Sequence, residues 1–275
     1  AHAAFTRDAY LARMAPRLVL ALALVLTALL AHGAVAAERV QYEGQAFGID
    51  DGSLLYRESH YVDRDGTGLG SRVVLYRCPD GAAFARKRID YAVDSLVPDF
   101  EMVDARLGYR EGVRREGAGR TVFVQRGPQR EERSGPLPTV QGLVADAGFD
   151  DFVRQHWEQL AAGETLRFPI LLPSRIDWFD FKVRRAEGVP DAGDDILVIR
   201  LSLGAWWAFL LPHVDVRYAR EQRELLRYTG ITSVRDTEGR NYEARIEFAP
   251  GERRPLAAGA LEPALAAPLA TTCTG

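Results

Sequence analysis

Cysteine and lysine are nearly missing from this chain of 275 residues, and the short motifs that announce catalysis are missing altogether. It has no G-x-S-x-G turn to present a nucleophile, no H-E-x-x-H helix to hold zinc and no G-x-x-x-x-G-K-S/T loop to cradle phosphates. Nor is there a C-x-x-C pair. The common routes to catalysis, metal binding and cofactor use are therefore unmarked, and no cofactor is expected. Lys87 and Lys182 are the only lysines, so nearly all positive charge is arginine, which coding bias explains at least as well as phosphate recognition. The formal net charge is −3. A nucleic-acid-binding domain would be strongly basic with its charge on one face, and that function is set aside. Cys78 and Cys273 permit one bridge, and export would place it where disulfides persist. Their spacing alone does not bring them together.

The one long apolar run is near the start. Met14-Ala15-Pro16-Arg17 is a short cationic opening, residues 18–31 are apolar except for Thr27, and Ala34-Val35-Ala36 are the small residues a signal peptidase accepts. We therefore expect a signal peptide over residues 14–37, cleaved after Ala36 or Ala37, and a periplasmic or secreted mature protein. Residues 1–13 read as an upstream extension. The alternative is an uncleaved anchor through residues 18–31, although a membrane span wants about 20 apolar residues. Residues 1–37 carry Arg7, Arg13 and Arg17 against Asp8, a net of +2, so the remainder carries −5.

Residues 38–249 read as one β-rich domain. Apolar residues recur at every second position between Gly, Asp and Pro clusters. Leu54, Tyr56 and Val62 share a face opposite Arg57 and Ser59. Phe179, Phe181 and Val183 lie opposite Trp178, Asp180 and Lys182, and Leu197, Ile199, Leu201 and Leu203 lie opposite Arg200 and Ser202. Val214, Val216 and Tyr218 continue the rhythm, as do Tyr242, Ala244, Ile246 and Phe248. One segment breaks it. Phe149, Phe152, Val153, His156, Trp157 and Leu160 recur at helical spacing, with Asp146 or Asp150 as N-cap and Gly163 as stop. Residues 127–138 read as a solvated loop and residues 250–275 as a disordered Ala/Pro-rich tail. The predicted fold is mainly β (α+β): a curved antiparallel sheet or incomplete barrel with one amphipathic helix packed on its apolar face. A closed barrel or a two-sheet sandwich fits nearly as well.

Asp63-Arg64-Asp65-Gly66 has a faint likeness to a calcium loop but lacks the later acidic ligands, and a hairpin turn is the better reading. Asp191, Asp194 and Asp195 read as a solvated loop, His156 as a core or boundary histidine, and His60 and His213 have no assignable partner. Residues 204–212, with Trp206, Trp207 and Phe209, do not alternate, so something must cover the excess apolar surface. They are either a thick part of the core or the mouth of an apolar cavity, where contact with a membrane interface is a further reading.

From Pro212 to Phe248 the order is a strand with Val214, Val216 and Tyr218, a charged turn, Leu225 to Gly230, Asp236-Thr237-Glu238-Gly239, and a closing strand from Tyr242. This resembles the C-terminal hairpins of periplasmic lipoprotein carriers, whose curved, incomplete barrel is lined by apolar residues and lidded by helices. It also resembles exported bacterial proteins of unassigned function. The carrier resemblance implies an apolar cargo site and assigns no site residues. The expected function is an exported, non-enzymatic protein that binds a lipid or acyl chain, lined or gated by Trp157, Phe168, Trp178, Trp206, Trp207 and Phe209. An envelope scaffold with a filled core and a protein partner is the second reading, with transient membrane contact allowed by either. A hydrolase without a recognised motif is the third.

Overall fold

A computed structural model describes residues 37–189, 193–204 and 213–274. The expected signal peptide, the upstream extension and the alternative anchor lie outside the described residues, as do Asp191, Trp206, Trp207 and Phe209. Among the described residues no helix is long and apolar enough to cross a membrane.

The alternating pattern produces two antiparallel runs of strands. The first is β1 (Glu38–Gly48), β2 (Leu54–Arg64), β3 (Gly70–Arg77), β4 (Ala83–Asp90), β5 (Asp99–Asp104), β6 (Tyr109–Glu116), β7 (Gly119–Arg126) and β8 (Arg133–Pro136). The second begins with the short β9 (Val144–Ala145), which pairs in parallel with β10 (Leu166–Leu172). It continues through β11 (Asp177–Arg185), β12 (Ile196–Leu203), β13 (Val214–Ala219), β14 (Leu225–Arg235) and β15 (Asn241–Glu247). β1 pairs with β15, placing Ala46 opposite Ile246, and this joins the runs into one sheet ordered β8 to β1, then β15 to β9.

That order forces curvature. Fifteen strands at about 4.8 Å spacing would put the edges of a flat sheet about 70 Å apart. The edge strands β8 and β9 are joined by residues 137–143 alone, which reach about 25 Å when fully extended. The sheet therefore curls until its edges approach. Ile89, Phe100, Val113 and Val122 of the first run pack with Ala145 and Leu171 of the second. The predicted mainly β fold, a curved antiparallel sheet with a helix on its apolar face, is what forms.

The helix runs in two segments, α1 (Phe149–Gln155) and α2 (Trp157–Ala161), broken at His156, whose ψ is 20°. The Phe152 carbonyl accepts both the His156 backbone N–H (3.1 Å) and its Nδ1–H (2.9 Å), so this histidine serves the break. Gly163, at φ +89°, ends the segment as expected. Neither predicted cap is used: Gly148 holds the N-cap position, without any side-chain cap bond. A Cβ at Gly148 would collide with the Leu96 carbonyl, so a side-chain cap has no room there. The carboxylates of Asp146 and Asp150 instead pair with Lys87 and Arg154.

Two further expectations are corrected. The loop at residues 127–138 contains β8, which pairs with β7. The tail is ordered from 250 through 274. β16 (Arg254–Pro255) pairs with β1, α3 (Leu261–Ala266) follows, and Cys273 is bonded to Cys78. The physical reason is an apolar patch on the outward face of the sheet: Val73, Leu75 and Ala83 are buried under Ala264, Leu261 and Leu265. The turn at Asp65 is a hairpin turn, its carboxylate accepting the N–H groups of Thr67 and Leu69.

Candidate functional site

The concave face of the sheet has two chemically different halves. Along β10 to β13 it is apolar and covered by the helix, with Phe152, Val153, Trp157 and Leu160 packed on Phe168, Val183, Leu197, Ile199 and Val216. Burying side chains of this size is worth roughly 1.5–3 kcal/mol each. Along β1 to β6 the inward positions carry ionisable groups as well. In β2 the parity that sends Tyr56 and Val62 inward also sends Glu58, His60 and Arg64 there. Lys87 follows from β4 and Glu111 from β6.

Each of these charges has a partner, as burial demands. Arg72 donates to Tyr42 Oη (2.8 Å) and to His60 Nδ1 (2.7 Å). A guanidinium can only donate, so Nδ1 accepts and the proton sits on Nε2, which donates to Glu58 Oε2 at 2.8 Å. Burial, reinforced by Arg72 and opposed by Glu58, pulls the His60 pKa down to about 4. The contact with Glu58 is therefore a hydrogen bond of neutral histidine at pH 7. Arg64 forks onto Asp151 of α1 (2.8 and 2.9 Å) and lies 3.9 Å over the Tyr91 ring. Tyr109 donates to Glu111 at 2.5 Å and accepts from Arg235 at 3.0 Å. Burial pushes the Glu111 carboxyl up, against the pull of Tyr109 and Arg235.

The Lys87 ammonium meets Asp146 at the turn before α1. Lys87 is 7 % exposed and Asp146 57 %. Asp146 lies within electrostatic range of Tyr76 on β3, Glu111 on β6 and Tyr228 on β14. A carboxylate that acts on inward groups from both runs of strands and is still more than half accessible borders space wide enough for a water molecule. This space, beside Asp146 and Lys87, is the candidate site. It offers a guest hydrogen bonds and charge. His60 has both ring nitrogens committed and is 4 % exposed, so it reaches no substrate. His213 sits elsewhere, 3.6 Å from Asp215, which Arg200 already holds through two bonds. Among the described residues no cluster of three His, Cys, Asp or Glu could hold a metal ion.

The residues expected to line a cavity behave differently. Trp157 and Phe168 lie together in the apolar half, the indole edge-on to Tyr218 and Phe168 stacked 4.0 Å from Phe152. Both are buried in the core between the helix and β10 to β13. Trp178 is partly buried against the cluster where the sheet edges meet. Trp206, Trp207 and Phe209 are outside the described residues. What sequence reasoning missed was parity: Glu58, His60 and Lys87 alternate in register with buried apolar residues, and charge on the apolar parity of a strand is a legible mark of a polar interior.

No protein-family model matches the chain. No curated protein matches it either. One solved structure it resembles is the β-barrel-like protein of a domain of unknown function, DUF1849, from Brucella abortus. The match has 10 % identity and a TM-score of 0.45, and covers 78 % of this chain and 96 % of that one. At that identity and score it assigns neither family nor role.

Proposed function

We propose that this chain is an exported, non-enzymatic binding protein that receives a guest inside its curved sheet, beside Asp146. The accessibility of that carboxylate amid inward side chains carries the reading. Export is supported by the leader pattern of residues 14–37 and by the Cys78–Cys273 bridge, which suits an oxidising compartment. The guest expected from sequence was a lipid or an acyl chain. A bare hydrocarbon would strip water from Asp146 and return nothing, at a cost of several kcal/mol. The guest therefore brings polar groups of its own, as a lipid headgroup does.

Native mass spectrometry of the mature protein from the exported fraction tests this. A non-covalent adduct that disappears on unfolding, and is reduced in Asp146→Ala, is the expected result. A bare polypeptide mass would overturn it and favour the second reading, an envelope scaffold. That reading draws support from the ion pairs, which already satisfy the interior without a guest.

A further inference from the structure

Apart from the space at Asp146, the turns at one end of the sheet enclose a cleft of about 450 Å³. Three stretches remote in sequence build it: Leu107 to Arg126 across β6 and β7, the 3-10 turn Pro173–Arg175, and the β14–β15 hairpin. Arg126, Arg175 and Arg235 all line it. Arginines elsewhere are commonly paired with carboxylates, as in Arg64–Asp151, Arg120–Asp99 and Arg200–Asp215. None of the three in the cleft has a carboxylate partner among the described residues. Arg235 spends its terminal nitrogens on neutral oxygens, those of Gly239, Asn241 and Tyr109, and its Nε is buried without an acceptor. Among the described residues Arg126 donates to the Ser174 carbonyl and to no carboxylate. The one acid in the lining, Glu238, is held 3.0 Å from Arg240.

We propose that this cleft binds a phosphate-bearing anion. Three like charges gathered in a chain whose overall balance is acidic repel one another, and among the described residues none of them makes a salt bridge, Arg235 reaching Glu111 only through Tyr109. A dianion with several oxygens accepts from the exposed guanidinium groups of Arg126 and Arg175 and is attracted by the charge of Arg235, a task for which arginine is preferred over lysine. Tyr109, Gly239 and Asn241 fix Arg235 beforehand, which lowers the ordering cost of binding. Because the three stretches come from both runs of strands, the bound anion also fastens the two parts of the sheet together. The site does not depend on a guest beside Asp146.

The shared chemistry is a phosphate group, free or on a lipid head, and the test separates the two. Inorganic phosphate at low salt is titrated into the mature protein by calorimetry, and vesicles of phosphatidylcholine with and without phosphatidylglycerol are assayed by co-sedimentation. Arg126→Gln and Arg175→Gln replace exposed side chains, so both variants should fold, and circular dichroism checks that they do. Arg115→Gln, exposed at the end of β6 far from the cleft, is the control. A hydrogen bond to a charged group is worth about 1.5–3 kcal/mol, so each cleft variant should weaken binding at least roughly tenfold while the control leaves it unchanged. A response to free phosphate identifies a soluble source, and a response to phosphatidylglycerol vesicles alone a lipid head. No binding in either arm, or binding that all three variants leave equal, overturns the proposal.

Discussion

Replacing His60 with Gln should flatten the acid limb of the stability curve. His60 is enclosed by Tyr42, stacked 4.6 Å away, by Phe248 at 5.6 Å, and by Arg72 and Glu58 at hydrogen-bond distance, with Arg253 in electrostatic range. In the folded protein its pKa is about 4, against about 6.5 for an unperturbed histidine. Between those values the unfolded chain binds a proton that the folded chain does not, so stability must fall as pH falls through this window. Above pH 6.5 the contribution is fully present, and below about 4 no further loss comes from this residue. The difference of about 2.5 pH units corresponds to about 3 kcal/mol. Gln keeps an acceptor for Arg72 and a donor for Glu58 but does not titrate. Urea unfolding with the disulfide intact, run on both proteins across the window, isolates the effect. Glu43 and Glu111, raised by burial, act in the opposite sense in both proteins and cancel in the comparison. Equal slopes for the two proteins, or an NMR titration of His60 centred near 6.5, would refute the reasoning.

Asp151→Ala strands the Arg64 guanidinium, which is 10 % exposed, and should cost about 3–5 kcal/mol by the same unfolding assay, whereas apolar residues of matching volume at both positions should recover most of it. Cys273→Ser opens a bridge that closes 195 residues and should cost about 2–5 kcal/mol. Hydrogen exchange should then speed up at Val73, Leu75 and α3 while β12 and β13 stay protected. Unchanged exchange at Val73 would mean that the tail docks without its bond.

How much of this was legible depends on range along the chain. Leu197, Ile199, Val216, Tyr218, Ala244 and Ile246 are inward and buried, as alternation alone predicts, because the side-chain period of a strand is a local property. The helix was legible for the same reason, and its break at His156 was not, since it depends on one carbonyl taking two bonds. The tail was missed because its order comes from contacts nearly two hundred residues away. Its only local traces are Cys273 and the i, i+3, i+4 spacing of Leu261, Ala264 and Leu265. The candidate site was missed for a different reason. Apolar residues were read as inward and charged residues as outward, which holds for an open sheet with one wet face. A sheet that curls until its edges meet encloses part of its concave face, and there charged residues are tolerated once each has a partner.

Those partners also decide how the helix is held. On the apolar side the helix is packed by Trp157, Leu160 and Phe152. On the polar side its N-terminal end is tied to the first run of strands by two ion pairs, Lys87 of β4 to Asp146 and Arg64 of β2 to Asp151. The two ties are unequal. Arg64–Asp151 is buried on both sides, whereas in the other pair only Lys87 is buried, so Asp146 can turn to another partner only if Lys87, 7 % exposed, is offered a new acceptor at the same time. A guest that displaces Asp146 must therefore bring an acceptor for Lys87, and it leaves the Arg64–Asp151 pair intact. The turn before α1 can then adjust while the helix stays seated, and recognition at this site need not disturb the fold.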